Sequence, residues 1–326
     1  MFEIRTDLAV EEKESFPGDG GEVTGVSLRE WRKPFSKIKL TEVAILDEQG
    51  ARAMGKPKGV YITMEAGALA KGDEDYHREV SEELAAQLKR MAKELKRQKK
   101  IPDRKDICVL AVGLGNPSVT PDSLGPKVLG NLRVNRSMDE RDGVVLSGIV
   151  PGVMAQTGME TAEILKGIIH ETEPDLLIAV DALAARSIRR LGTTIQLTDT
   201  GIHPGSGVGN HRHGLTMENL GVPVLAIGVP TVVGAAAIVY DTISALSKTL
   251  ASYVQTHEMG DFLEQLDPDE QYQLINELLE PEFGSLYVTP PDIDQTVKRL
   301  GYTISEGIHL AFMARGVRGE AASQGR

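Results

Sequence analysis

A three-layer α/β/α open sheet, mostly parallel, is the fold that this sequence of 326 residues predicts. Three observations lead there. Beyond Pro102, short runs of Val, Ile, Leu and Ala alternate with helical patterns, the signature of βαβ units. The first of these runs, Ile107–Gly113, is almost continuously apolar, as a parallel strand covered on both faces must be. Aromatic residues make up only 4% of the chain, so the core has to rest on aliphatic side chains.

Each element can be justified in order. The first 25 residues are polar and close on the breaker cluster Ser15 to Gly21, which reads as a detachable arm. Leu40–Leu46 and Gly59–Met64, β-branched and bounded by Gly, Pro and Lys, read as strands of a peripheral sheet. Val80–Lys99 places Leu84, Leu88, Met91 and Leu95 at helical spacing, with a solvated basic face around Lys89, Arg90 and Lys96. Five strands follow at Ile107–Gly113, Val144–Val150, Leu176–Val180, Thr194–Leu197 and Val224–Ile227. A helix over Thr157–His170 separates the second from the third, with Met159, Ala162, Ile164, Leu165 and Ile168 inward. Gly221 to Tyr240 is uncharged and approaches the roughly 20 residues that cross a bilayer. Its two prolines and three glycines favour instead a buried strand, a turn at Thr231 and a largely buried helix. From Gln255 the tail is helical and acidic, with Leu263, Leu266, Leu274, Leu278 and Leu279, and it ends in a Gly/Ser-rich tip.

Charge and cysteine usage narrow the function classes. With 36 basic and 47 acidic residues the net charge is −11, which argues against a domain-wide nucleic-acid footprint. A single cysteine, Cys108, permits neither an intrachain disulfide nor a Cys-rich zinc site, and a reducing cytoplasm fits it. The N-terminus has no basic stretch followed by an apolar core, so no secretory signal is expected.

In an open α/β sheet, ligands bind outside the carboxyl ends of the strands. The segments that qualify are Gly113 to Pro126, Asp181 to Ala184, Asp199 to His213 and Gly228 to Thr231. Gly113-Leu114-Gly115 is not a dinucleotide fingerprint, because Ser118 stands where a third glycine is needed and Pro117 and Pro121 prevent a helix from opening at once. The glycine pair reads as a tight turn that brings Asp122 to the crevice. Ser206 has Pro204 and Val208 where a nucleophile elbow needs glycines. Asp122 and Asp181 both emerge near the top of the sheet. Two carboxylates sharing a proton cannot both ionise, so one can activate water while the other protonates a leaving amide nitrogen. The alternative is that each caps a following helix. His203 could join the two acids as a third metal ligand or be an ordinary loop histidine, and His211 with His213 is a weaker metal pair.

The runs Gly113-Leu114-Gly115-Asn116, Thr120-Pro121-Asp122, Leu124-Gly125-Pro126, Pro151 to Glu160, Val180 to Ala184 and Thr198 to Asn210 together resemble the germination protease family, over nearly the whole chain. That resemblance implies an atypical aspartic endopeptidase, self-processing and tetrameric, which degrades small acid-soluble spore proteins in the spore core, a cytoplasmic compartment, without cofactor or catalytic metal. It also implies no membrane or nucleic-acid partner. Its catalytic aspartates fall on Asp122 and Asp181. The fold is similar to that of hydrogenase maturation peptidases, whose chemistry offers the alternative of a metal site on Asp122, Asp181 and His203. A noncatalytic α/β binding module is a third reading.

The family also removes a propeptide at a site that mimics its substrate. Thr6-Asp7-Leu8-Ala9-Val10-Glu11 fits that pattern, which makes residues 1–7 a propeptide cut between Asp7 and Leu8. Residues 8–326 are then a single α/β peptidase domain with N-terminal peripheral strands and a C-terminal helical region. Backbone N–H groups of Gly115, Asn116 or the Gly205, Gly207 and Gly209 loop are candidates to receive an oxyanion. Arg186, Arg212 and Arg133 are candidates, by residue type, to accept the acidic side chain before the cut.

Overall fold

The computed structural model describes residues 6–14, 16, 23–33, 37–69, 72–104, 106–138, 143–205, 213–243, 274–275, 277 and 286–313. In chain order these form α1 (Ala9–Glu14), β1 (Val26–Arg32), β2 (Lys39–Ile45), α2 (Glu48–Met54), β3 (Gly59–Glu65), α3 (Glu74–Arg97) and β4 (Ile107–Gly113). Then come a 3-10 turn (Thr120–Asp122), α4 (Leu124–Asn131), β5 (Val144–Ile149), α5 (Met154–Thr157), α6 (Thr161–Thr172) and β6 (Leu176–Ala185). After β7 (Thr194–Thr198), α7 (Met217–Leu220), β8 (Val224–Gly234) and β9 (Tyr287–Val288), the helix α8 (Ile293–Phe312) completes the set.

All nine strands belong to one sheet of order β1-β2-β3-β7-β8-β6-β4-β5, with β9 paired to β8. The pairs β5–β4, β4–β6 and β6–β8 are parallel, whereas β8–β7, β7–β3, β3–β2 and β2–β1 are antiparallel. One face is covered by α3, α4 and α8, whose Leu84, Leu88, Val128, Leu300 and Ile304 pack on Ile62, Leu197, Ile227, Ile178 and Val109. The opposite face carries α6 and α7 over Leu110, Val112, Leu177 and Val224. Helices thus sandwich the sheet, as the aliphatic runs require. Among the described residues no helix is long and apolar enough to cross a membrane.

The sheet is mixed rather than mostly parallel, with three parallel strand pairs and five antiparallel ones among the described residues, and the structure departs from the sequence reading in five further places. The strands near residues 40 and 60 form no separate sheet, because β3 pairs with β7 and they continue the main sheet to its edge at β1. The start of the chain is not detached, because Leu8, Ala9 and Val10 are buried and α1 packs beside Met54, Tyr61 and Val43. The third strand does not stop at Val180 but runs to Ala185. The fifth likewise runs through Thr231 to Gly234, and residues 235–243 are then helical. The pairing shifts register between Leu183 and Ala184, opposite Pro230 and Val232, so the segment read as a turn is a bulge that accommodates a proline without a ladder N–H. Finally, the first long helix starts at Glu74, where the Asp73 side chain accepts from Asp75 N and Tyr76 N, and the next at Thr161 behind the capping box of Glu160 and Glu163. Residues 244–273, and with them most of the predicted acidic tail, lie outside the described residues.

Candidate active site

Asp122 is held at the carboxyl end of β4 by the turn that follows it. Leu114 N donates to Val180 O at 2.8 Å, stitching the end of β4 to β6. Gly115 then turns with φ +106°, a conformation that favours glycine, and a Cβ there would lie 1.9 Å from the Asp122 carbonyl oxygen. Asn116 N donates to Asp122 Oδ2 at 2.7 Å, drawing the carboxylate back over the loop. The Asn116 side chain accepts from Ser118 N at 3.0 Å and from Gln156 Nε2 at 2.9 Å, tying in the Pro151 to Glu160 segment. The 3-10 turn bearing Asp122 lies against β6, β8 and α8.

Asp181 sits inside β6 rather than after it. Gly113, the last residue of β4, pairs with Val180, so Asp181 is the first position of β6 to pass beyond the end of β4. Its side chain is buried, and Oδ1 accepts from Ala182 N at 2.9 Å. Neither acid caps a helix: α4 opens on Ser123 without a side-chain cap, and Asp181 lies within a strand. Asp181 pairs with Gly228, and Gly228 with Gln196, so these three residues form one row across β6, β8 and β7.

The N-terminal segment is laid across this region. Asp7 N donates to Ala184 O at 3.1 Å, and Ala184 N donates back to Asp7 Oδ2 at 2.9 Å. The Asp7 carbonyl accepts from Gln196 Nε2 at 3.0 Å and from Lys56 Nζ at 3.2 Å. Ala9 N donates to Gln196 Oε1 at 2.7 Å. Leu8 is fully buried against Leu183, Ala185, Leu191 and Val233. Glu11 accepts from Arg186 N at 2.8 Å, from Ser187 N at 3.1 Å and from the Thr6 hydroxyl. Arg190 gathers three carboxylates, Glu11 at 3.3 Å, Glu14 at 2.6 Å and Glu65 at 3.0 Å. Burial works against that cation, but Glu14, Glu65 and Glu11 together raise its pKa and keep it charged.

Burial pushes the Glu11 carboxyl above its ordinary 4.5, against the opposing pull of Arg186 N–H, Thr6, Arg190 and Ser187 N–H. A group whose pKa is raised in the docked state binds a proton more tightly there than when released. Its contribution to docking is therefore complete at acidic pH and is lost as the pH rises through the raised value. The protection factors of residues 6–14, after correction for intrinsic exchange, are expected to fall from pH 4.5 towards neutrality, and Glu11→Gln to flatten that dependence. An unchanged slope in the variant would remove Glu11 as its source.

The remaining sequence candidates are placed as follows. Because β7 is antiparallel to β8, the segment after Thr198 leaves the sheet at the end opposite the carboxyl end of β6. The Nε2 of His203 lies 2.5 Å from where a Cβ on Gly214 would stand, and desolvation and the charge of Lys56 lower its pKa. Among the described residues no three His, Cys, Asp or Glu side chains are grouped to hold a metal ion, so His203 does not complete a site with Asp122 and Asp181. His213 Nδ1 instead meets Glu160 Oε2 at 2.6 Å. Gly205 has φ +76°, while Gly207, Gly209, His211 and Arg212 lie outside the described residues. Arg133 follows α4 at the end away from Asp122, where its N–H donates to His309 Nε2 at 2.8 Å. Arg186 meets Glu11 through its backbone, its guanidinium lying over the Tyr240 ring at 5.4 Å. The sequence reading missed Lys56, Gln196 and Arg190. Only a polar Gln in the middle of the buried strand Thr194–Thr198 offered a signal.

Comparison with known proteins identifies the family. The family model for the germination protease matches residues 3–261. The chain is 48% identical over 318 residues to the germination protease of Caldanaerobacter subterraneus subsp. tengcongensis, covering 94% of each chain. It is 43% identical over 317 residues to that of Clostridium tetani, covering 94% of this chain and 95% of the relative. Among solved structures, the [NiFe] hydrogenase maturation protease HycI of Thermococcus kodakarensis KOD1 superposes with a TM-score of 0.30 at 18% identity, covering 62% of this chain and 92% of that one. With both relatives above 40% identity along nearly their whole length, this chain belongs to the germination protease family, endopeptidases of the aspartic type.

Proposed function

We propose that this chain opens the degradation of small acid-soluble spore proteins in the spore core during germination. It is made as a zymogen, residues 1–7 are removed by its own cut between Asp7 and Leu8, and it works as a homotetramer without a metal. The observation that carries this reading is the seating of the substrate-like segment Thr6–Glu11, whose Asp7 carbonyl bonds to Gln196 in the sheet row of Asp181. Asp122 and Asp181 divide the proton work, one accepting a proton from the attacking water and the other delivering one to the departing Leu8 nitrogen.

The test incubates the full chain with a purified small acid-soluble spore protein in the presence of chelator and maps the products by mass. Cuts between an acidic and a following apolar residue are expected, together with loss of residues 1–7 from the enzyme. An intact substrate beside an enzyme that has lost its N-terminus would overturn the substrate assignment.

A further inference from the structure

We infer that Lys56 and Gln196 are the electrophilic pair of the reaction, receiving the oxyanion that forms when the scissile carbonyl is attacked. The inference rests on the reading of Asp7–Leu8 as a bond to be cut. Two donors from distant parts of the chain converge on one oxygen: Gln196 Nε2 lies 3.0 Å and Lys56 Nζ 3.2 Å from Asp7 O, with Lys56 also 3.4 Å from Thr6 O.

Each donor is fixed by its surroundings. Gln196 is the central residue of β7, a strand whose five residues are all buried, where an amide without partners is costly. Its Oε1 is taken by Ala9 N–H at 2.7 Å, which turns the NH₂ towards Asp7 O. One side chain therefore grips main-chain groups on both sides of the Asp7–Leu8 bond, where the chain enters α1. Lys56 is supplied by the end of α2: Gly55 takes the left-handed conformation, with φ 58°, that ends the helix, and Lys56 N donates back to Ala51 O at 3.2 Å. Gln196 and Asp181 share a row and hence a face of the sheet, with one strand between them. Strand spacing sets their backbones about 10 Å apart, so a carbonyl held by Gln196 lies on the face of the sheet that carries Asp181.

The step balances on these groups. A bond forms between the water oxygen and the Asp7 carbonyl carbon, and the π pair moves to the oxygen held by Lys56 and Gln196. The water proton passes to one carboxylate. The pair then returns, the bond from carbon to Leu8 nitrogen breaks, and that nitrogen takes a proton from the other acid. A new carboxyl group on Asp7 and an amine on Leu8 are the products.

The test follows loss of residues 1–7 from the full chain by intact mass, then kcat and KM of the processed enzyme on a peptide containing Thr-Asp-Leu-Ala-Val-Glu. Lys56→Met and Gln196→Leu are each expected to lower the processing rate and kcat roughly 10²- to 10³-fold. KM should change far less in Lys56→Met, and Lys56→Arg should recover part of the loss. Parent-like kcat in Lys56→Met and Gln196→Leu would overturn the assignment, as would a loss confined to KM. The two layers fail differently: a parent that cuts neither its own Asp7–Leu8 bond nor the peptide overturns the substrate-mimic reading and this inference with it. A parent that cuts both, beside Lys56 and Gln196 variants that cut equally well, overturns only the inference.

Discussion

Asp181→Asn is expected to slow cleavage of the Asp7–Leu8 bond about 10²- to 10⁴-fold, the range in which a lost general acid or base shows itself, and to leave the melting temperature at or above that of the parent. Structure and chemistry separate cleanly at this position. The buried carboxylate uses Oδ1 to accept from Ala182 N at 2.9 Å, and an asparagine keeps that acceptor in the same place and shape. What it cannot do is take a proton from water or give one to a leaving nitrogen. Asp122→Asn is the companion, because its Oδ1 can still accept from Asn116 N, now 2.7 Å from Asp122 Oδ2. Intact-mass time courses beside thermal unfolding read both quantities. A variant that processes at the parent rate removes its residue from the reaction, and one that melts early shows a role in the fold instead.

Gly125→Ala is expected to destabilise the fold by about 3 kcal/mol, the upper end of ordinary overpacking. A Cβ on Gly125 would lie 2.3 Å from Leu114 O, 2.4 Å from Leu114 N and 2.6 Å from Val180 O. All three are main-chain atoms, and the last two belong to the bond between Leu114 and Val180 that closes β4 onto β6. No side chain can swing aside, so α4 must lift from the sheet and take the Asp122 turn with it. Gly113 interlocks from the other side, its absent Cβ lying 2.5 Å from Gly125 O. Gly130→Ala is the control: it lies in the same helix with nothing within 4 Å of the added carbon, and it should stabilise by about 0.4–1 kcal/mol. Equal melting temperatures for the two variants would show that the helix is not seated this tightly.

The parallel half of the sheet was legible because its strands are covered on both faces and read as apolar runs. The direction of β7 was not, since alternation within Thr194–Thr198 is the same read either way and only pairing to β3 and β8 orients it. The extension of β6 past Asp181 was hidden by a buried charge followed by alanines that favour strands weakly, and that of β8 by Pro230, which looks like a turn until the bulge is seen. Asp181 was chosen for following a strand; the strand it follows in space is β4, which ends one row below it. Lys56 sits alone after a helix-ending glycine, and Arg190 in a short 3-10 turn, so neither carries a spacing that marks it. Their contacts with the N-terminal segment give no pattern in sequence, and that segment's polar composition read as an arm because, among the described residues, it contributes three deeply buried apolar residues, Leu8, Ala9 and Val10.

The partners of that segment also set a schedule. Asp7, Ala9 and Glu11 bond to positions 175 to 189 residues further along the chain. During synthesis the first residues to emerge must wait for β6 and β7, and contacts so distant in sequence form late because the intervening loop has to close first. The N-terminus is therefore the last strip to be laid on a finished sheet. A chain interrupted before residue 196 has no complete seat for it, so the docked segment becomes a report that the sheet has been built.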